Sequence, residues 1–432
     1  MSHVFGRCRA DAPRIARARG LEVWDADGRR YLDACGGAIV VGVGHGVDAV
    51  TDAIAAQSRR VAYAHGSMFR APVLEEYADA LAAVLPVDDP RVYPVSGGSE
   101  AVETALKLAR AYHLARGEDR HVIVARAGAY HGNTRGALDV SGRPGLRAPY
   151  LPWLGQARRV PTPYEYRCPF PGAHPGGCAA AHAAALAGVF AAEPVAAFIA
   201  EPIAGAALGA CVPPDAYWPL VAEVCRAYGV LLIADEVMTG FGRTGAWFGV
   251  DHWGVRPDIL TAGKGAGSGY WPLGLTVCSG AVHEAVADGG FTHGFTYSHH
   301  PVGAAAGLAV LRELRERDLV AAAARQGPVL DAMLRDALTG HPYVGDVRGR
   351  GLLRAVELVA DRETAAPFPR GDRVAERVAA AAHAAGLLVY PATGCADGTD
   401  GDLIVLGPPL CATEADLAEI TDLLAKALAT LH

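Results

Sequence analysis

At 432 residues the chain is long enough for a large core and a second, smaller lobe. Hydrophobic residues make up 51% of it, yet no uninterrupted apolar stretch reaches the roughly 20 residues that a membrane-crossing helix needs, so a soluble protein is expected. A net charge of −7 with scattered basic residues argues against nucleic acid as the main partner, and nine cysteines without regular spacing suit the reduced thiols of a cytoplasm better than a disulfide framework.

The opening MSHVFGRCRADAPRIARARG carries arginines but no apolar core, and reads as a surface arm rather than a secretory signal. From Gly20 to Asp33, apolar residues alternate around Asp27-Gly28, a hairpin signal. The next stretch, GGAIVVGVGHG, imitates a dinucleotide loop, but Val47 stands where the third glycine of GxGxxG belongs. It reads as a glycine-rich turn into a helix from Val47 to Gln57, and a second helix is expected from Leu74 to Leu85. Val92 to Val95 has the character of a strand, followed by Ser96-Gly97-Gly98-Ser99-Glu100 and a long amphipathic helix. A strand end, small residues and a helix N-terminus together make an anion site, with Gly98 and Ser99 offering amides and a hydroxyl to a phosphate. The same residues would also serve as a plain serine cap.

Residues 121–125 form a further expected strand, and Tyr130-His131-Gly132 follows its end, where an aromatic ring could stack on a planar ligand. Gly142 to Cys178 is rich in Pro, Gly and Tyr without periodicity, and reads as a long loop that shapes an entrance. Cys168 and Cys178 flank part of it. Neither a CxxC nor a nearby CxxH pattern completes a zinc site, so they are expected to be buried or loop thiols and no metal is expected. A helix over 179–192 leads to the strand Val195 to Ala200, which ends at Glu201-Pro202, and a helix over 217–228 comes next.

Val230 to Ala234 is an unbroken apolar run, the pattern of a strand buried on both faces in a parallel sheet, and it stops at Asp235. A second short run, Ile259 and Leu260, ends at Thr261-Ala262-Gly263, with Lys264 between two glycines. Asp235 and Lys264 then sit at carboxyl ends of strands, the edge where open α/β sheets hold ligands. A lysine amine can form a Schiff base with an aldehyde cofactor, and pyridoxal phosphate acts as an electron sink when an acid keeps its ring nitrogen protonated. Beyond Lys264, a strand is expected from Leu273 to Cys278, then the loop FTHGFTYSHHP, whose Thr296 and Ser298 could hold an anion. His299 and His300 lack a third ligand. A helix resumes at Pro301, and past residue 318 helices alternate with strands at Arg354 to Leu358, Leu387 to Tyr390 and Leu403 to Leu406 before a last helix from Glu414 to Leu431.

With IADEVMTGFGRTG, LTAGKG, the SGGSEA turn, Tyr130-His131-Gly132 and Glu201-Pro202 in order, the chain resembles the class III aminotransferases, pyridoxal-phosphate enzymes of fold type I, over nearly its full length. The resemblance implies an α/β fold with a mostly parallel seven-stranded sheet in a large domain over 63–317. It also implies a smaller α+β domain built from 1–62 and 318–432. Lys264 would form the Schiff base and carry the proton, Asp235 would pair with the ring nitrogen, and Val237 and Tyr130 would pack on opposite ring faces. Gly98 and Ser99 would bind the phosphate, with Thr296 reaching it from the partner chain of a homodimer, and His131 and Glu201 would complete the pocket. Transamination between an amine or amino acid donor and a carbonyl acceptor is expected. An epimerase, phospho-lyase or decarboxylase on the same scaffold is the alternative, and a transcription regulator would need an attached winged helix. Two departures bear on the substrate. Val405 stands where relatives acting on ω-amino acids often carry a carboxylate-binding arginine, no arginine follows Arg377, and Arg70 and Arg143 are the remaining candidates. Met238 stands where many relatives have a glutamine that binds the cofactor's phenolic oxygen.

Overall fold

The strand Leu231–Asp235 is buried along its whole length, as its apolar run requires, and it lies at the middle of a seven-stranded sheet. The computed structural model describes residues 3–6, 12–155, 157–170, 177–288 and 291–431. Across the sheet the strands run Arg91–Val95, Gly274–Cys278, Ile259–Ala262, Leu231–Asp235, Val195–Ala200, Val122–Arg126 and Arg158–Val160. Gly274–Cys278 pairs antiparallel with both its neighbours, and the other pairs are parallel. Side chains alternate between two cores, as the two-residue period of a strand dictates. Leu231, Ile233, Ala197, Ile199 and Ile259 share a core with Val102, Ala105 and Leu108 of the helix Gly98–Ala115. Leu232, Ala234, Phe198, Ala200 and Leu260 face the other way, into a core with Trp218, Val221 and Cys225 of the helix Tyr217–Tyr228.

The ends of the chain build two further sheets. Ile15–Arg19, Glu22–Asp25 and Arg30–Asp33 form an antiparallel meander whose last strand pairs in parallel with Leu387–Leu388. The expected hairpin is present: Gly28 has φ of 82°, and Asp25 Oδ1 accepts from the amides of Asp27 and Arg29 at 3.0 and 2.9 Å. The strand Ile15–Arg19 gave no sequence signal because its residues are almost all exposed and alternate arginine with alanine. The other sheet is antiparallel, in the order Val344–Arg350, Leu353–Leu358, Asp402–Leu406, Tyr390–Thr393.

The expectation of an unstructured loop from Gly142 to Cys178 is corrected in part. Arg158–Val160 adds an edge strand to the large sheet, and short helical turns occupy Pro144–Arg147, Ala148–Trp153 and Glu165–Arg167. Three residues, two of them arginine, are too few to show a strand's alternation. Among the described residues, eight cysteines are free thiols and no helix is long and apolar enough to cross a membrane.

Candidate active site

Asp235 ends its strand in register with Thr261, so the carboxylate and the turn bearing Lys264 come out side by side at the same sheet edge. Asp235 is buried. Its Oδ1 accepts from the amide of Val237 at 3.1 Å, and its Oδ2 lies 2.6 Å from Nδ1 of the buried His131. Lys264 has a φ of 40°, a left-handed conformation that a residue with a side chain rarely adopts, and backbone strain of this kind collects at functional sites. Its Nζ donates to the carbonyl of Ala38 at 2.8 Å. Burial lowers the Lys264 amine to about 8, against the opposing pull of the Asp235 and Glu201 carboxylates.

These residues line a cavity of about 180 Å³ with Gly98, Ser99, Tyr130, Gly132, Glu201, Val237 and Met238. A larger hollow of about 840 Å³, lined in part by Tyr93, Leu108, Phe291 and His299, contains no lysine. At the cavity the helix Gly98–Ala115 starts from Gly97, where no side chain caps it. Glu100 instead accepts from the amide of Ser96 at 2.8 Å, and the Ser99 hydroxyl accepts from the amide of Asn133 at 3.1 Å. Among the described residues, no acceptor meets the amides of Gly98 and Ser99, which leaves them free for an anion beside the positive helix end. A Cβ on Gly98 would come within 2.9 Å of Val237 Cγ1, so only glycine lets the helix start lie this close to that side chain. A lysine amine, a buried carboxylate, open amides at a helix start and a tyrosine beside a valine fit the aldehyde, ring nitrogen, phosphate and ring of pyridoxal phosphate.

Gly98, Ser99, Tyr130, His131, Glu201, Asp235, Val237 and Lys264 thus share one cavity, as the sequence leads one to expect. Glu201 is buried, accepts from the amide of Gly205 at 3.0 Å and is raised by that burial. Thr296 is not among the cavity residues of its own chain. It is exposed, and its carbonyl accepts from the Tyr63 hydroxyl at 2.8 Å. His300 turns its Nδ1 to the amide of Val302 at 3.2 Å, a helix cap rather than a ligand. Arg70 is exposed and donates to Glu75 at 2.7 Å, Arg143 donates to the carbonyl of Thr393 at 3.2 Å, and neither lines the cavity. Val405 is fully buried in a cluster against which Met238 packs. Three residues escaped the sequence reading. Ala38 contributes only a carbonyl, which no residue type reveals. Glu236 is buried and accepts from the amides of Gly249 and Val250, each at 2.8 Å, pinning the loop after Asp235. The buried Arg243 reaches the carbonyls of Pro408 and Val41, tying that loop to both ends of the chain.

This arrangement defines a lysine-dependent cofactor enzyme on a mostly parallel sheet, and comparison gives the family. The chain belongs to the class III aminotransferases, whose family profile matches residues 9–428, and it has their fold type I architecture. Members of that family depend on pyridoxal phosphate. The chain is 36% identical over 428 residues to the taurine–pyruvate aminotransferase of Rhodobacter capsulatus, covering 97% of this chain and 92% of that one. It is 34% identical over 436 residues to the putrescine–pyruvate aminotransferase of Pseudomonas aeruginosa, covering 96% and 90%. Among solved structures, a pyridoxal-phosphate-bound amine transaminase from an uncultivated Pseudomonas species superimposes with a TM-score of 0.91 at 37% identity, over 100% of this chain and 99% of the other.

Proposed function

We propose that this aminotransferase takes its amino group from amines without an α-carboxylate and passes it to a small keto acid, using pyridoxal phosphate held by the residues of the Lys264 cavity. The observation that carries the reading is the meeting of the Lys264 amine, lowered to about 8, with the buried Asp235 carboxylate in a cavity that no arginine lines among the described residues. Val405, buried where relatives present an arginine, supports the donor class, as do the taurine, putrescine and amine substrates in the relatives' names. The pyruvate in two of those names supports the acceptor.

When bound, pyridoxal phosphate supplies an aldehyde that takes up the amino group and a cationic ring that stabilises negative charge on the substrate carbon. Asp235 would hold the proton on the ring nitrogen, and His131, 2.6 Å away, fixes the carboxylate that would do so. Gly98 and Ser99 would hold the phosphate, and Tyr130 and Val237 would hold the ring. Lys264 Nζ would be the point that holds the aldehyde, and as a free amine it would serve as the base that carries the proton. A second copy of the chain completes the site with its Thr296, and the division into 63–317 and the two flanking segments follows the family pattern. A cytoplasmic setting fits the free thiols.

Lys264→Ala is expected to abolish the visible absorbance of the bound cofactor and to cut turnover by at least about 10²–10⁴-fold. Retained transamination would sink the assignment. A spectroscopic half-reaction screen without acceptor decides the donor: amines should convert the cofactor stoichiometrically to its aminated form, and glutamate should react slowly. Rapid conversion by glutamate refutes the donor class, and release of product without cofactor conversion favours an eliminase or epimerase.

A further inference from the structure

Well along the sheet from Asp235, the loop that follows the edge strand Arg158–Val160 and the helix Gly177–Ala192 bring two thiols and an imidazole together. Cys178 and His182 are four residues apart on that helix, so both project from one face. Cys168 joins them from the loop just after the turn Glu165–Arg167. Its Sγ lies 3.1 Å from Cys178 Sγ and 3.8 Å from His182 Nε2, and the three donor atoms lie within 4.8 Å of one another. His182 Nδ1 faces the carbonyl of Pro161 at 3.2 Å. A carbonyl only accepts, so Nδ1 carries the hydrogen and Nε2 turns its lone pair toward the sulfurs. Backbone carbonyls orient metal-binding imidazoles in this way. The ring is held from the side by Phe170, edge-on at 5.0 Å. His182 is buried while both thiols are half-buried, which leaves the sulfur side open to an entering ion.

We propose that Cys168, Cys178 and His182 form a binding site for a divalent thiophilic cation, Zn²⁺, separate from the Lys264 cavity. Two sulfurs and one imidazole are the donor set that suits zinc rather than magnesium or calcium. With Zn–S near 2.3 Å and Zn–N near 2.0–2.1 Å, a tetrahedral ion needs donor edges of about 3.8 Å between sulfurs and about 3.6 Å from sulfur to nitrogen. The Cys168–His182 edge already has that length, and the sulfurs need to part by only about 0.7 Å. On binding, the two thiols release their protons to solvent, His182 keeps its hydrogen on Nδ1, and water fills the fourth position. The ion ties the start of the helix to the loop over 161–168. That loop carries Tyr164 and Arg167, which reach the buried Glu357 of the C-terminal sheet. A disulfide between the same sulfurs is the competing fate, and it leaves the oriented Nε2 without a role.

The test uses the full-length, cofactor-loaded enzyme, stripped on a chelating resin under a non-chelating reductant and then titrated with Zn²⁺ alone. One zinc per chain by elemental analysis, a higher unfolding temperature and, with Co²⁺ in place of zinc, a thiolate-to-metal absorption band are expected. Cys178→Ser and His182→Ala should bind zinc more than about 100-fold more weakly, beyond what loss of an outer-shell contact causes, with the cofactor's absorbance unchanged. Absence of stoichiometric zinc in the wild type, undiminished binding in Cys178→Ser, or a Cys168–Cys178 linked peptide in protein kept under reductant each overturns the proposal. Should the variants fail to fold, the wild-type stoichiometry still decides.

Discussion

Lys264 combines a strained backbone, glycines on both sides and an amine lowered to about 8 from an ordinary 10.5, with burial as the largest cause. The direction fixes a pH dependence. Below about 8 the amine is protonated and cannot attack an aldehyde, and above it the amine is neutral. The rate at which cofactor-free enzyme captures pyridoxal phosphate should therefore rise about tenfold per pH unit on the acid side and level off above the pKa. Stopped-flow absorbance checks this, and a rise that continues to pH 10 would place the amine at its ordinary value. Gly98→Ala tests the cradle. Its Cβ would meet Val237 Cγ1 at 2.9 Å, an overpacking that costs about 1–3 kcal/mol, so cofactor binding should weaken measurably while the chain stays folded. Asp235 was legible because it ends an apolar run, and Lys264 because it stands between two glycines just past the end of another. The His131–Asp235 contact was not, since it joins positions 104 residues apart. His182 was missed for another reason: a CxxH spacing was sought, whereas a helix pairs Cys178 with a histidine four residues on.

Among the elements, the link between the large sheet and the C-terminal sheet concentrates on Glu357. It is fully buried and accepts from Arg167 Nε at 2.8 Å, from Arg348 Nη1 at 2.8 Å and from the Tyr164 hydroxyl. Arg348 also donates to the carbonyls of Gly209 and Leu208 at 2.7 and 2.6 Å, holding the segment that follows Glu201. Burial by itself would raise the Glu357 carboxyl, but Arg348, Tyr164 and Arg167 outweigh it and hold the group below its ordinary 4.5. A depressed carboxyl contributes its stability in full above the unfolded pKa and loses it as pH falls below. Glu357→Gln leaves two arginines facing a neutral amide and should cost about 3–5 kcal/mol in denaturant unfolding near neutral pH, with a smaller loss in acid. An unchanged midpoint would show the network to be dispensable. The central strands were legible from their apolar runs, and alternation between two cores explains why those runs are unbroken. Ile15–Arg19 was hidden because an edge strand of alternating alanine and arginine buries too little to leave a pattern, and Arg158–Val160 because three residues with a single buried valine are too few to show one.

For the molecule as a whole, several large apolar side chains are exposed, Val61, Tyr63, Met68, Phe69 and Tyr297 among them, with the rings of Tyr63 and Tyr297 6.3 Å apart. Thr296, whose carbonyl Tyr63 holds, belongs to the same surface. Exposed apolar side chains of this kind suit an association site, and the second copy of the chain proposed above would cover them. Phe69→Asp should shift the protein from dimer to monomer in sedimentation and weaken cofactor binding at the same time. A monomeric variant with undiminished cofactor affinity would show that Thr296 plays no part across the interface. The parallel pairing of Arg30–Asp33 with Leu387–Leu388 joins the two ends of the chain in one sheet. Strands so far apart in sequence pair only once everything between them has been made, so the edge of the meander at Arg30–Asp33 stays bare until Leu387–Leu388 arrives.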